Sequence, residues 1–299
     1  MLYCSGNLCA ERMIALAKPV LLSADSICDL SPELLEKYRV HLIPVHVLLD
    51  EKPYLDGVDL NPDDIYRIYN EKKILPKTAA LNIEEYLAAF RPFLEQGYEI
   101  VHLSLGSALS SCYNNARLAA AELGGVYVVD SRSLSTGAGL AVIEAAERIA
   151  AGMPAAQVAQ EVDALTGRCH ASFVLNTLEF LYKGGRCSAL AMLGANLLQL
   201  KPCIEVSTED GHMSVGKKYR GSLDKALAQY VQDQLQGRTD LKTDRIFITH
   251  SGVPEERIAM VRAEVEKYAH FDEVLITRAG CTISSHCGPN TMGILFMTK

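Results

Sequence analysis

The 299-residue chain carries 29 basic and 36 acidic residues, a formal net charge of −7, and is 49 % hydrophobic and 22 % charged. Such a composition belongs to a globular protein with room for two domains, and the acidic balance argues against a general nucleic-acid binder. The nine cysteines are scattered with no Cys-x-x-Cys pair, so neither a zinc knuckle nor a redox motif is written here, and free thiols in a reducing cytoplasm are expected.

Residues 1–18 hold Glu11, Arg12 and Lys18 among apolar positions. They lack the apolar run of a signal peptide and read as a leader segment of uncertain order. No apolar stretch reaches the ~18 to 20 residues of a membrane span. Residues 20–24 read as a strand, and Ser31-Pro32 as an N-cap with proline at the first helical position, opening a helix over 32–38. A single strand is predicted over 40–49. Asn61-Pro62-Asp63-Asp64 starts a further helix, with acids where the helix dipole favours them. Then follow a helix over 83–96, a strand over 99–104, a helix to Leu123, a strand over 126–129, and an Ala-rich helix over 136–151 stopped by Gly152-Met153-Pro154.

The second half predicts strands over 171–176, 203–206, 212–218, 245–250, 273–277 and 293–296. Helices are predicted over 222–236 and 254–268, and Glu209-Asp210-Gly211 reads as a hairpin turn. The alternation predicts an α/β protein of two α/β domains. The first has a mostly parallel sheet flanked by helices, the second a mixed sheet, with a ligand cleft between them. The expected division is a leader over 1–18, an N-terminal domain over 19–160 and a C-terminal domain over 161–299.

Ligands of open α/β sheets sit beyond the carboxyl ends of strands, so the segments that follow strands hold the candidates. After 99–104 comes a hydroxyl-rich helix entry with Ser107, Ser110, Ser111 and Cys112. It serves either as an anion site on free backbone N–H groups or simply as an N-cap. Asp130-Ser131-Arg132-Ser133 precedes a Gly-x-Gly helix start, but Val142 stands where a dinucleotide fingerprint needs its third glycine, and no Walker lysine motif occurs. Arg186, after Gly184-Gly185, can pair with a carboxylate or phosphate through its planar fork. Lys217, Lys218 and Arg220 form a basic run that reads as a solvated face or as a dock for an acidic surface. Ser285-His286-Cys287 suggests a nucleophile and base, but neighbours in an extended chain point apart. A hydrolase or acyltransferase using Ser110 or Cys112 with His286 stands as the alternative to a binding protein. No metal site and no cofactor is expected.

In order and spacing these segments resemble the DegV family, whose members bind fatty acids and include the acyl-carrying subunits of bacterial fatty acid kinase. The resemblance runs from about Val20 to Phe296. It rests on Ser23-Ala24-Asp25-Ser26 with Asp29-Leu30, Ile43-Pro44-Val45, Asp56-Gly57, Pro76-Lys77-Thr78 and the loop from Ser107 to Tyr113. Further on it rests on Asp130-Ser131-Arg132-Ser133, Gly184-Gly185-Arg186, Leu200-Lys201-Pro202, Lys218-Tyr219-Arg220-Gly221 and Ser285-His286-Cys287-Gly288-Pro289. The sequence departs from the family pattern at Ala79-Ala80-Leu81, where Ser-Gln-Pro is common, at Ser111-Cys112, where Gly-Thr is expected, and at Ala24 and Asn290.

The resemblance implies a non-catalytic, cytoplasmic protein that serves phospholipid metabolism. It would hold a long-chain fatty acid between its domains and present the carboxylate to a fatty acid kinase subunit, with transient contact to a membrane surface and none to nucleic acid. Thr78 and Ser110 would then hydrogen-bond the carboxylate, with Arg186, His286 and Ser107 at the head-group end. Burying ~14 methylenes at ~0.8 kcal/mol each contributes roughly 11 kcal/mol gross to holding the tail.

Overall fold

The computed structural model describes residues 18–187 and 200–299. The leader expected at the start of the chain therefore lies, apart from Lys18, outside the described residues. The first half builds a four-stranded parallel sheet in the order β2-β1-β6-β7 from β1 (Val20–Asp25), β2 (Val40–Ile43), β6 (Glu99–Ser104) and β7 (Val126–Asp130). Helix α1 (Pro32–Tyr38) starts as the sequence predicts, with the Ser31 hydroxyl accepting from the Leu34 N–H. Helix α2 (Pro62–Lys72) begins at a capping box made by Asn61 and Asp64, and α3 (Ile83–Glu95) at one made by Asn82 and Glu85. Helix α4 (Cys112–Leu123) returns the chain to β7.

The single strand predicted over 40–49 is two. Pro44 has no N–H to continue a ladder, and the Val45 N–H goes to the Ser26 hydroxyl instead. The chain so leaves the parallel sheet and forms β3 (His46–Leu49), the centre of a small antiparallel sheet with β4 (Lys52–Leu55) and β5 (Lys77–Ala79).

The second half is a six-stranded mixed sheet in the order β10-β9-β8-β13-β11-β12. Its strands are β8 (Cys169–Val174), β9 (Leu200–Val206), β10 (Met213–Arg220), β11 (Leu241–His250), β12 (Glu273–Arg278) and β13 (Met292–Thr298). The hairpin at residues 209–211 joins β9 to β10 as predicted. Helices α8 (Leu223–Leu235) and α9 (Glu255–Tyr268) pack on each other and on this sheet.

Helix α5 (Ser135–Ala150) is buried over its first three turns because it touches both sheets, β1 and β6 on one side and β8, β11 and β13 on the other. Small residues allow that approach: a side chain at Gly139 would stand 2.7 Å from the Cys28 carbonyl oxygen. Helix α6 (Ala155–Thr166) spans the region where the chain was expected to divide. It packs on β6 and β7, and residue 160 falls within it. One apolar cluster runs from Leu22 and Ile100 through Leu140 to Phe173 and Leu295, so the two sheets share a core. Two short helices complete the fold, α7 (Glu179–Gly184) and α10 (Cys281–Cys287). Among the described residues no helix is long and apolar enough to cross a membrane.

Candidate functional site

A cleft with about 890 Å³ of empty space, open solvent at its mouth included, lies between the two sheets. It sits where sheet topology places ligands. Val45 follows β2, Leu105 follows β6, Leu134 follows β7 and Ala279 follows β12, and all four line it together with Phe173 of β8 and Leu295 of β13. The walls are mostly apolar, as ligand pockets generally are. Thr78, Ser110, Arg186 and His286 line this one cleft, although they lie up to 208 residues apart in sequence. Ser107 does not join them. It is exposed, and its backbone N–H donates to Asp130 at 3.0 Å.

Each of the four is fixed by its surroundings. Thr78 is the middle residue of β5, paired with Val47, and its hydroxyl lies 2.8 Å from His286 Nε2. Ser110 sits in the loop after β6, whose first residues are held by two buried carboxylates. Asp25 accepts from the Leu105 N–H at 2.9 Å and from the Tyr86 and Ser104 hydroxyls. Asp130 accepts from Ser107 and Arg132. The Ser110 hydroxyl accepts the N–H of Cys112, the first residue of α4, at 3.2 Å and lines the cleft at once. Arg186 follows the left-handed Gly185 that ends α7, and it donates to the Gly184 carbonyl at 2.7 Å.

His286 occupies the last turn of α10 rather than an extended segment, and α10 is anchored by two buried aspartates from the first half of the chain. Asp56 accepts the N–H groups of Cys281 and Thr282 at 2.8 and 3.0 Å, and Asp29 accepts that of Gly280 at 2.9 Å. The other Asp29 oxygen takes the Ser135 hydroxyl at 2.5 Å. Burial pushes the Asp29 carboxyl up to about 8, and nearby Asp56 adds to the rise against the pull of those hydrogen bonds. Beside α10, a side chain at Gly184 would stand 2.2 Å from His286 Nδ1. Only a glycine lets α7 approach the ring so closely. Burial first, and the Arg186 cation second, bring His286 down to about 4, so the imidazole is neutral at pH 7 and Nδ1 has no hydrogen-bond partner.

The alternative nucleophiles are poorly placed. Cys112 is fully buried, does not line the cleft, and burial raises its thiol above the usual range. Cys287 does line the cleft, but burial pushes it up to about 12. A thiol held protonated is a weak nucleophile. Ser110 makes its hydrogen bond to a backbone amide, while His286 Nε2 faces Thr78. No cluster of metal-ligating side chains occurs among the described residues.

The polar wall contains more than the sequence indicated. Ser135, Thr249, Ser251, Thr282 and Thr291 also face the cleft, as does His250. Ser135 takes a left-handed φ of 50°, which nothing in its sequence context announces.

The model of the DegV family, described as "Uncharacterised protein, DegV family", matches residues 20–299. The chain belongs to the DegV family. A DegV domain-containing protein of Deinococcus radiodurans is 31 % identical over 277 residues, which cover 92 % of this chain and 97 % of the relative. Among solved structures, a fatty-acid-binding DegV family protein from Thermus thermophilus superposes with a TM-score of 0.82 at 30 % identity, covering 94 % of this chain and 100 % of that one. A stearic-acid-binding protein from Eubacterium ventriosum gives 0.81 at 27 % identity, over 93 % and 98 %. The DegV fold of those structures is the two-sheet arrangement described above.

Proposed function

We propose that this chain binds a long-chain fatty acid in the cleft, does no chemistry on it, and presents the carboxylate to a partner kinase that makes the acyl-phosphate. The observation that carries this reading is the charge balance of the cleft: among the described residues that line it, Arg186 is the one formally charged side chain. A carboxylate entering apolar surroundings protonates unless donors or a cation meet it. Thr78, Ser110 and Arg186 would supply two hydroxyls and a guanidinium, with the neutral His286 ring in contact with Thr78. The apolar walls suit a methylene chain, and the DegV structures described as fatty-acid-binding lend the same ligand class. The chain carries no nucleotide motif, so phosphoryl transfer falls to the partner. The buried free thiols of Cys28, Cys169, Cys203 and Cys281 suit a reducing cytoplasm. The exposed side chains of Lys217, Lys218 and Arg220 offer a docking face for an acidic partner or membrane, although Lys217 already pairs with Asp233 at 2.6 Å.

The test is mass spectrometry of an organic extract from the undenatured protein, beside a Thr78→Ala/Ser110→Ala double variant. Near-stoichiometric fatty acid in the parent and much less in the variant is the expected result. No lipid in either would overturn the binding reading. For the kinase step, the loaded protein is incubated with ATP and the candidate kinase. Acyl-phosphate formed only when both proteins are present is expected, and its formation without the kinase would refute the division of labour.

A further inference from the structure

One hydroxyl in the cleft wall is unaccounted for. Thr282 is 5 % exposed, lines the cleft, and its Oγ1 has no hydrogen-bond partner. The other hydroxyls of α10 and of the adjoining cleft wall are satisfied, and the unpaired hydroxyl of nearby Tyr66 does not line the cleft. Ser284 donates to the Ala279 carbonyl, Ser285 to that of Cys281, Thr291 to that of Cys287 and Ser251 to that of Gly288, while Thr249 pairs with Thr136 and Thr277. A threonine inside a helix ordinarily returns its hydroxyl to a carbonyl three or four residues back, but Thr282 is the second residue of α10, so those two residues precede the helix. Nor does α10 need the side chain as a cap, because Asp56 holds the Thr282 N–H.

A second orphan stands on the adjoining segment. His250 Nδ1 is buried without a partner, and His250 lines the same cleft at the end of β11. Its carbonyl accepts from the Ala279 N–H at 2.9 Å, which ties this strand end to the approach of α10. Burial first, then the Arg278 cation, lowers the His250 pKa and favours the neutral ring. An unmade buried hydrogen bond is costly, and a methylene chain passing these two groups would leave both unmade. A ligand hydroxyl, both donor and acceptor, would serve either.

We infer that Thr282, with His250 in the wall of the same cleft, forms a second polar contact there, selecting long-chain fatty acids that carry a hydroxyl a few carbons from the carboxylate; this rests on the fatty-acid reading. The position follows from helix geometry. Thr282 and His286 are four residues apart on one face of α10, about 6 Å along its axis. An extended chain advances roughly 1.2 Å per bond, which puts the hydroxyl about five bonds from a carboxylate held beside His286.

The experiment measures dissociation constants of delipidated protein for hexadecanoate, 5-hydroxyhexadecanoate and 12-hydroxyhexadecanoate, in the wild type and in Thr282→Val and Thr282→Ser. The wild type is expected to prefer the 5-hydroxy acid to both others. The ratio of the hexadecanoate constant to the 5-hydroxy constant should fall about tenfold in Thr282→Val and hold in Thr282→Ser. Equal affinity of the wild type for the 5-hydroxy acid and hexadecanoate would overturn the inference even if no variant folds. That result would mean a buried water, or nothing, meets Thr282. A ratio unchanged in Thr282→Val would overturn it too. If hexadecanoate binds without hydroxyl selectivity, only this inference fails; if no acid binds, the fatty-acid reading fails with it.

Discussion

Replacing Gly184 by alanine should separate the stability of the fold from the performance of the site. The new methyl carbon would stand 2.2 Å from His286 Nδ1 and 3.0 Å from its Cε1, where carbon and nitrogen atoms prefer 3.5 Å or more. The ring must yield by about 1 Å, and the 2.8 Å contact between its Nε2 and Thr78 cannot survive that shift. A lost hydrogen bond costs about 0.5–1.5 kcal/mol. A carboxylate left beside a displaced ring adds a comparable loss, so fatty-acid affinity should fall roughly 5- to 100-fold. The helix responds the other way. Gly184 is the last residue of α7, and alanine is a better helix former than glycine by up to about 1 kcal/mol. The assays are calorimetric titration with hexadecanoate and thermal unfolding of the ligand-free protein. Affinity should drop, while Tm of the ligand-free protein falls by only a few degrees, because the helix gain partly offsets the overpacking and the lost hydrogen bond. The displaced His286 ring should show a changed titration by NMR. A dissociation constant within twofold of the parent, with an unmoved His286 titration, would refute the view that this contact sets the head-group geometry.

Asp29 keeps its proton in the folded state up to about 8, whereas an unfolded aspartate loses it near 3.9. Stability is therefore fully present below about pH 4 and drains away as pH rises toward 8, at no more than about 1.4 kcal/mol per pH unit. Asp29→Asn should flatten that slope in urea unfolding between pH 6 and pH 8, and asparagine tolerates the left-handed φ of 50° found there; parallel profiles would contradict the assignment. Asp56→Asn can accept only one of the two amides that Asp56 holds, and should cost about 1–3 kcal/mol and lower lipid content in the extract. Unchanged stability would remove the anchor role. Cys112, buried and with its thiol raised, should label with iodoacetamide only as fast as the protein unfolds. Rapid labelling of the native protein, with loss of an esterase activity, would restore the nucleophile reading.

The regular elements were legible wherever a cap or a proline marked them. Ser31-Pro32 and Asn61-Pro62 start α1 and α2 in the places their sequences indicate, and the two sheet types followed from the order of strands and helices. The elements that make the site were not legible. At six and seven residues, α7 and α10 are too short for apolar periodicity to show. Thr78 lies on a three-residue strand that only family resemblance singled out. Asp29 and Asp56 stood in the motif set without a role, because the helix they hold is more than 200 residues further along the chain. Thr282 opens a hydroxyl-rich run, but nothing local separates it from Ser284 and Ser285 within that run. What distinguishes it is that the other hydroxyls lining the cleft have found partners, which is a property of packing.

The anchoring of α10 also bears on how the cleft can open. Three consecutive backbone N–H groups of the second half of the chain, from Gly280 to Thr282, donate to carboxylates of the first half. A hinge that swung the two sheets apart along this edge would strip both buried acids of their backbone donors in one motion, leaving each a single hydroxyl. The same edge is fastened again, more lightly, by the Tyr69–Glu179 hydrogen bond and the Tyr69–Phe180 ring contact between α2 and α7, both of which pack on α10. Staple and latch sit side by side, and the latch includes the helix whose final glycine lies against His286.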